Sequence, residues 1–178
     1  MGLQTMQERA FWKAVTVDRT DLLDRVLAVL RHLRARYCVI GGVAVNAYVE
    51  PVVTLDLDLV VAVNDRPAVE KALRETFDVS TFEHSLNVLD PGSDLRVQVQ
   101  TDARYAPFVD RAEQRTVLGV NLWVARIDDL LDGKVWAVLD PTRRPSKRQK
   151  DLADIARLIE HDPTLRERVP VEILAKLV

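Results

Sequence analysis

The sequence predicts an α+β protein, in which a small mixed β-sheet is flanked by helices and followed by a helical C-terminal region. Short segments rich in Val and Leu, bounded by Gly, Pro or Asp turns, occupy the first two thirds of the chain and indicate strands. Apolar residues at helical spacing dominate after Ile127. The 178 residues suit one domain over 1–178, with a sheet-containing core over 1–126 and a helical part over 127–178.

The composition excludes several classes of protein. A content of 48% hydrophobic and 29% charged residues is typical of globular proteins. The net charge of −2 gives no global basic field, so any contact with nucleic acid must come from a local patch. The single cysteine, Cys38, excludes an intrachain disulfide and a cysteine-based zinc cluster. The apolar runs are too short for a membrane span, and we expect a cytoplasmic protein with no membrane partner.

The elements are predicted from apolar periodicity and turn residues. Predicted helices cover a segment capped by Thr20 or Asp18 and running to about Leu33, then 43–49, 67–77, 127–139, 147–160 and a piece from about Pro163. Predicted strands cover 37–40, 54–63, 78–84, 85–90, 95–100 and a glycine-centred hairpin over 115–126. The stretch 101–114 is predicted to be irregular, and 140–146 is predicted to be a linker.

The strand segment "TLDLDLVV" carries two acids in an apolar setting. Because strand residues two apart share a face, Asp56 and Asp58 point together. Like charges and desolvation make this unfavourable for folding unless a cation binds there or the strand end opens to water. Two carboxylates together with phosphate oxygens are the usual ligands of Mg²⁺. The alternative is an edge strand with an acidic, solvated face.

A paired-glycine turn precedes these acids. Gly41 and Gly42 follow the predicted strand 37–40, and paired glycines let the backbone approach a ligand closely. The helix predicted from Val43 would aim its N-terminal amides at this turn, an arrangement that favours phosphate. A tight turn without a ligand is the alternative. Together with the dicarboxylate strand, the turn indicates a nucleoside triphosphate bound with its metal.

The stretch "VIGGVAVNAYVEPVVTLDLDLVV" resembles the signature of the nucleotidyltransferase (polymerase beta-like) superfamily. With the downstream "DDLLDGKVWAVLD" and "RRPSKRQKDLADIARLIE", the chain resembles more narrowly the AbiE-type toxin nucleotidyltransferases, from about Tyr37 to Glu160. The resemblance implies Mg²⁺- or Mn²⁺-dependent transfer of a nucleotidyl group from an NTP to a hydroxyl of RNA, such as tRNA, or of a protein. It also implies a role as the toxin of a toxin–antitoxin or phage-defence pair, with an antitoxin protein as partner.

The resemblance also implies the site residues. The implied metal ligands are Asp56 and Asp58. The implied nucleotide-binding residues are Gly41, Gly42, Lys134 and Lys150. The implied catalytic residues are Asp56, Asp58, Lys134, Asp151 and Asp154. On its own helix Lys134 falls on the inward, leucine-rich stripe, where it either snorkels to solvent or meets an anion.

One departure from the superfamily concerns a third carboxylate on a neighbouring strand. Gln98 in "LRVQVQ" stands at the matching position, and an amide cannot act as a general base. Asp94 and Asp102 flank that strand, and Asp151 or Asp154 offers an acid from the helical region. The alternative function is therefore a catalytically impaired nucleotidyltransferase fold that acts as a nucleotide-sensing or partner-binding module.

The basic cluster near residue 145 has several interpretations. Arg143, Arg144, Lys147 and Arg148 are expected to contact an RNA acceptor, whereas a solvated linker is the plain alternative. The i,i+4 spacings of Lys147 to Asp151 and of Lys150 to Asp154 also allow simple surface pairs. A third hypothesis is an RNA-binding protein that works through 143–150 and tolerates loss of Asp56.

Overall fold

The computed structural model describes residue 10 and residues 20–117 and 119–177. Asp18 and most of the other residues before residue 20 lie outside the described residues. The helices are α1 (Leu22–His32), α2 (Gly41–Val45), α3 (Arg66–Thr76), α4 (Phe108–Arg111), α5 (Ile127–Leu139), α6 (Pro145–His161) and α7 (Val171–Leu174). The strands are β1 (Tyr37–Ile40), β2 (Asp56–Val61), β3 (Asp78–Phe82), β4 (Ser85–Leu89), β5 (Arg96–Gln100), β6 (Glu113–Val117) and β7 (Val120–Val124).

The strands form one seven-stranded mixed sheet in the order β3-β4-β5-β2-β1-β7-β6. Strand β2 lies at its centre, antiparallel to β1 and parallel to β5. The three antiparallel neighbours β3, β4 and β5 form a meander, and β6 and β7 form a hairpin. The predicted fold class, a mixed sheet with flanking helices and a helical C-terminal region, is confirmed.

Strand β2 alternates as its sequence requires. Leu57 and Leu59 are completely buried in the core, whereas Asp56 and Asp58 are partly exposed on the opposite face. Asp58 lies in register with Ile40 of β1 and with Gln98 of β5. The acidic face of β2 is therefore placed in the middle of the sheet rather than on an edge strand.

The C-terminal helices cover this acidic face. Helix α5 packs against α6, and both helices also contact the short helix α2 that follows β1. Helix α6 buries Leu152, Ile155 and Leu158 on one side. The same helix also buries Asp151 and Asp154. Within the described residues, we find no helix with the length and apolarity that crossing a bilayer requires.

Several predicted boundaries are corrected by the structure. Helix α1 has Asp21 as its N-cap instead of Thr20. Helix α2 begins at Gly41, not at Val43, and ends after five residues. Strand β2 begins at Asp56, because residues 51–54 are a loop without ladder pairing. Helix α6 begins at Pro145, since proline suits the first turn of a helix, and this shortens the predicted linker.

The stretch 101–114 contains more structure than its sequence predicts. A 3₁₀ turn (Ala103–Tyr105) is followed by α4, and β6 begins at Glu113. These elements are too short for apolar periodicity to reveal them. The turn matters for the site because it carries Tyr105 to the edge of the cavity described below.

Candidate active site

A cavity of about 480 Å³ lies between the acidic face of the sheet and the helices α5 and α6. Strand β2 contributes Asp56 and Asp58 to its wall, and β5 contributes Gln98. Helix α5 contributes Lys134 and helix α6 contributes Asp151. The fold thus brings together residues that the sequence separates by almost one hundred positions.

Asp56 is held between two cations. Its Oδ2 accepts a hydrogen bond from Nζ of Lys147 at 2.6 Å, and its Oδ1 lies 3.0 Å from Nε of Arg96. Burial raises the pKa of Asp56, but the hydrogen bond and charge of Lys147, with the charge of Arg96, hold it below its ordinary value. Asp56 is therefore an ionised carboxylate at neutral pH.

Asp58 has the opposite environment. Burial raises the pKa of its carboxyl to about 6, against the attraction of Lys134 and with the help of the Asp56 charge. Within the part of the chain that the structure describes, no hydrogen bond or ion pair reaches this carboxylate. Two adjacent acids on one strand thus differ in their readiness to take up a further cation.

The absence of a side chain at Gly41 leaves room for the carboxylate of Asp58. Gly41 has φ of 68°, a left-handed conformation, and a Cβ at this position would overlap Oδ2 of Asp58. A Cβ on Gly42 would instead make ordinary contact, 3.7 Å from Oγ1 of Thr54. The first glycine therefore makes room for the carboxylate itself, a role that the sequence did not predict.

Lys134 lies at the centre of a buried ion-pair cluster. Its Nζ lies 2.9 Å from Oδ1 of Asp151 and 2.6 Å from Oδ2 of Asp154. Burial lowers the pKa of Lys134, but the charges and hydrogen bonds of Asp154 and Asp151 outweigh burial and raise it. The lysine is therefore charged at the cavity wall, and of the two alternatives for Lys134 the structure shows the anion contact.

The two acids of this cluster have further partners. Asp151, whose side chain is only 2% exposed, also accepts from Arg143 at 2.7 Å. Asp154 pairs with Arg157, which in turn reaches the side chain of Asn46 after α2. The interpretation of Asp151 and Asp154 as plain i,i+4 surface partners of lysines is wrong, because Lys134, Arg143 and Arg157 take both acids.

The structure places Gln98 directly beside Asp58 on the neighbouring parallel strand. Of the acids that flank β5, Asp102 caps the 3₁₀ turn and pairs with Arg104 at 2.7 Å. Neither Asp94 nor Asp102 lines the cavity. Among the described residues, the acids that line the cavity are Asp56, Asp58, Asp129, Asp140 and Asp151.

The basic cluster divides into side chains that pair within the site and side chains that are exposed. Arg143 and Lys147 hold acids of the site, and Arg148 donates to the main-chain oxygen of Asp140. Arg144 and Lys150 are exposed. Arg144 lines the cavity, whereas Lys150 lines an adjoining smaller recess.

Arg96 and Tyr105 are among the residues of the site that the sequence did not reveal. Arg96 was visible on the polar face of its strand, but nothing in the sequence showed that it meets Asp56. Tyr105 lies in the stretch predicted to be irregular and packs edge-on against Phe108 and Trp136. It borders Gly133 of α5, where a Cβ would lie 3.1 Å from the tyrosine ring.

The donor set fits a hard divalent cation that brings ligands of its own. Among the described residues, no group of three or more His, Cys, Asp or Glu side chains is arranged to hold a metal. Two carboxylates on one face, of which Asp58 has no protein partner in the described chain, match a Mg²⁺ ion that retains waters and phosphate oxygens. A structural zinc site needs a full protein ligand set and does not fit.

The fold resembles those of several solved structures. The solution structure of the antibiotic-resistance factor ANT(2'')-Ia matches with a TM-score of 0.55 and 14% identity, covering 83% of this chain and 90% of that chain. An antigenic nucleotidyltransferase-like protein from Paracoccidioides brasiliensis matches with a TM-score of 0.53 and 17% identity, covering 94% and 87%. The lincomycin-bound lincosamide adenylyltransferase LnuA matches with a TM-score of 0.52 and 10% identity, covering 76% and 95%. At these identities, the likeness shows the fold.

The comparison with curated proteins gave no match. The family model described as "Nucleotidyl transferase AbiEii toxin, Type IV TA system" matches residues 21–177, which include both the acidic strand and the helical ion-pair cluster. The chain belongs to this family and is a nucleotidyltransferase.

Proposed function

We propose that this enzyme uses a divalent metal, Mg²⁺ or Mn²⁺, to transfer a nucleotidyl group from an NTP to a hydroxyl of RNA, with tRNA as the favoured class. The observation that carries the proposal is the pair of carboxylates on one face of β2, with Asp58 lodged against Gly41, in a cavity that Lys134 also lines. A protein hydroxyl is the alternative acceptor.

Asp56 and Asp58 would hold the metal, which when bound supplies charge neutralisation for the phosphates. The acceptor hydroxyl oxygen forms a bond to the α-phosphorus, the bond to pyrophosphate breaks, and the hydroxyl proton passes to solvent. Gly41 and Gly42 give the backbone close access to the triphosphate. Positioning and electrostatic stabilisation supply most of the catalysis in such transfers.

Lys134 and Asp151 have linked roles. The ammonium of Lys134 lies at the cavity wall, where Asp151 and Asp154 hold it, and we assign it to binding the NTP phosphates. Both oxygens of Asp151 already accept from cations, so we assign it to positioning rather than to proton abstraction. Asp154, which does not line the cavity, supports Lys134 from behind.

The exposed cations at the cavity rim favour RNA over a neutral acceptor. Arg144 lines the cavity opening and Lys150 lies beside it, although the chain as a whole has a net charge of −2. Cationic side chains at this rim would neutralise acceptor phosphates. We extend the proposal to a toxin paired with an antitoxin protein, as the family description implies.

The test is a label-transfer assay. Purified protein is incubated with each of four radiolabelled NTPs, Mg²⁺ and total cellular RNA, beside the double variant Asp56→Asn/Asp58→Asn. A matched control, Asp110→Asn, removes an exposed carboxylate that pairs with exposed Arg36 outside the cavity. We expect transfer by the wild type and the control, and none by the double variant.

Other outcomes separate the alternatives. Label found on protein instead of RNA would move the acceptor to a protein hydroxyl. Binding of the metal–NTP complex without any transfer would favour the nucleotide-sensing module, which Gln98 beside Asp58 supports. Absence of label transfer by every protein, with RNA binding retained in the double variant but lost after charge reversal at Arg143 and Arg144, would favour the RNA-binding hypothesis.

A further inference from the structure

The first turn of helix α6 contributes a cation that reaches across the cavity mouth. Lys147 has Asp151 four residues later on its own helix, within the usual range of a helical ion pair. It bonds instead to Asp56 of β2, which lies 91 positions away in sequence, at 2.6 Å. Asp151 is unavailable because Lys134 and Arg143 already hold both of its oxygens.

Lys147 and Arg96 together occupy both oxygens of Asp56. These three residues line the main cavity and also a second recess of about 230 Å³ that contains Thr54 and Lys150. The ion-paired row therefore forms the partition between the two spaces. Its partners remain partly solvated, with 31% of the Lys147 side chain exposed, so the contact is weak enough to open.

We propose that Lys147 is a tethered cation that holds the metal-binding carboxylate Asp56 until an NTP gives its ammonium a new anionic partner, so that metal and nucleotide bind cooperatively. The inference rests on the proposed function and adds a positioning residue to it. Asp56 cannot offer Oδ2 to a metal while that oxygen accepts from Lys147. Releasing Lys147 without a nucleotide leaves its ammonium unpaired in the cavity, whereas a triphosphate supplies oxygens to receive it.

This arrangement has a thermodynamic consequence. If nucleotide binding relieves the cost of freeing Asp56, then nucleotide tightens the metal and metal tightens the nucleotide by the same factor. Removing the ammonium should strengthen binding of the metal alone and reduce the coupling. A lysine that merely stabilised the fold would do neither.

The experiment measures Mn²⁺ affinity by electron paramagnetic resonance, with and without a non-hydrolysable NTP analogue, in Lys147→Met and in the matched control Lys150→Met. Methionine keeps the chain length and the helix propensity. Lys150 acts on Asp56 through its charge without a direct contact, so Lys150→Met is the reference for losing one nearby charge and is not expected to equal the wild type. We expect Lys147→Met to bind Mn²⁺ alone at least about fivefold more tightly than either the wild type or the control, with the nucleotide enhancement reduced by a similar factor.

Lys147→Arg retains the charge and should restore wild-type coupling, which separates the charge effect from any damage to the helix. Equal Mn²⁺ affinity and equal coupling in Lys147→Met and Lys150→Met would overturn the inference while leaving the proposed function intact. Failure of the wild type to bind Mn²⁺ even with nucleotide would overturn the metal-dependent function, and the inference with it.

Discussion

Asp56 and Asp58 are chemically identical side chains two residues apart, yet the fold treats them in opposite ways. Asp56 is ionised and paired with Lys147 and Arg96. Asp58 is desolvated beside Gly41, with its pKa raised to about 6. A carboxylate whose folded pKa is depressed stabilises the fold at neutral pH, and one whose folded pKa is raised destabilises it. Asp56 therefore stabilises the native fold, whereas Asp58 destabilises it.

We predict that Asp58→Asn raises the free energy of unfolding at pH 7 by on the order of 2 kcal/mol in metal-free buffer. The pKa of Asp58 rises from the ordinary 3.8 to about 6 on folding. The wild type therefore loses stability as the pH rises through this range. The difference between variant and wild type should vanish below pH 4. Urea unfolding across pH 4–8 measures it.

Asp56→Asn is the internal comparison, with the opposite sign. It removes a depressed-pKa carboxylate and leaves Lys147 and Arg96 facing a neutral amide. We expect a loss of about 1 kcal/mol at neutral pH, discounted for solvent screening of the partly exposed pair. The contribution of Asp56 is lost as pH falls through its depressed pKa, so the two proteins should converge in acid. Equal signs for the two variants would contradict this assignment.

Lys134 gives a third prediction at the level of a single side chain. Lys134→Met should lower the free energy of unfolding by about 3 kcal/mol, because it leaves two buried carboxylates short of a cation. Arg143 and Arg157 still hold one oxygen each and limit the loss. Denaturant unfolding of Lys134→Met and of Lys134→Met/Asp154→Asn tests this, since removing one acid should recover part of the stability.

The turn between β1 and α2 shows how one element shapes the site. We predict that Gly41→Ala lowers the free energy of unfolding by about 1 to 2 kcal/mol, since the residue adopts a left-handed φ of 68°. It should also weaken Mn²⁺ binding, because the new methyl displaces the Asp58 carboxylate. Calorimetry with a Mn²⁺ titration measures both effects.

Gly42→Ala is the matched comparison for that turn. The added Cβ would contact Thr54 at ordinary van der Waals distance, and helix α2 accepts alanine readily. The free energy of unfolding should therefore change by less than about 0.5 kcal/mol or rise slightly. A larger loss in Gly42→Ala than in Gly41→Ala would refute the steric role assigned to the first glycine.

The elements also show what the sequence can predict. Alternation in β2, the leucine stripe of α1 and the length of α5 were readable because each depends on residues close in sequence. Asp56, Asp58 and Lys134 could be singled out from the sequence because each is a charged residue in an otherwise apolar local pattern. The contacts of Lys147 and Arg96 with Asp56 were not readable, because they depend on how distant elements pack. Tyr105 could not be predicted either, because it lies in a 3₁₀ turn that is too short to show periodicity.

At the scale of the whole molecule, several cationic side chains are concentrated around one cavity. A chain with a net charge of −2 places Arg96, Lys134, Arg143, Arg144 and Lys147 around one cavity. Five acids line the same cavity and balance these cations, so local attraction of polyanions rests on the exposed Arg144 and on Lys150 in the adjoining recess. This distribution is compatible with the NTP and the RNA acceptor proposed above.

We predict that Arg144→Ala raises KM for the RNA acceptor several-fold with little change in KM for the NTP. Arg144 is exposed at the cavity opening, so its loss should also reduce the salt dependence of RNA binding by about one counterion. Steady-state kinetics at two salt concentrations measure the effect. Arg166→Ala, which removes an exposed arginine that does not line the cavity, is the control. An equal change in both variants would exclude Arg144 from acceptor binding.

The alternation of β2 has one more consequence, for the choice of strand pairing. A slip of β2 by one residue against β1 and β5 would move Asp56 and Asp58 into the apolar core and expose Leu57 and Leu59 in the cavity. The desolvation of two charges makes such mispaired states very unfavourable. Both acids, including Asp58, which costs stability in the native chain, therefore discriminate against misfolded alternatives, so a variant with both replaced by leucine would gain burial and lose its unique register.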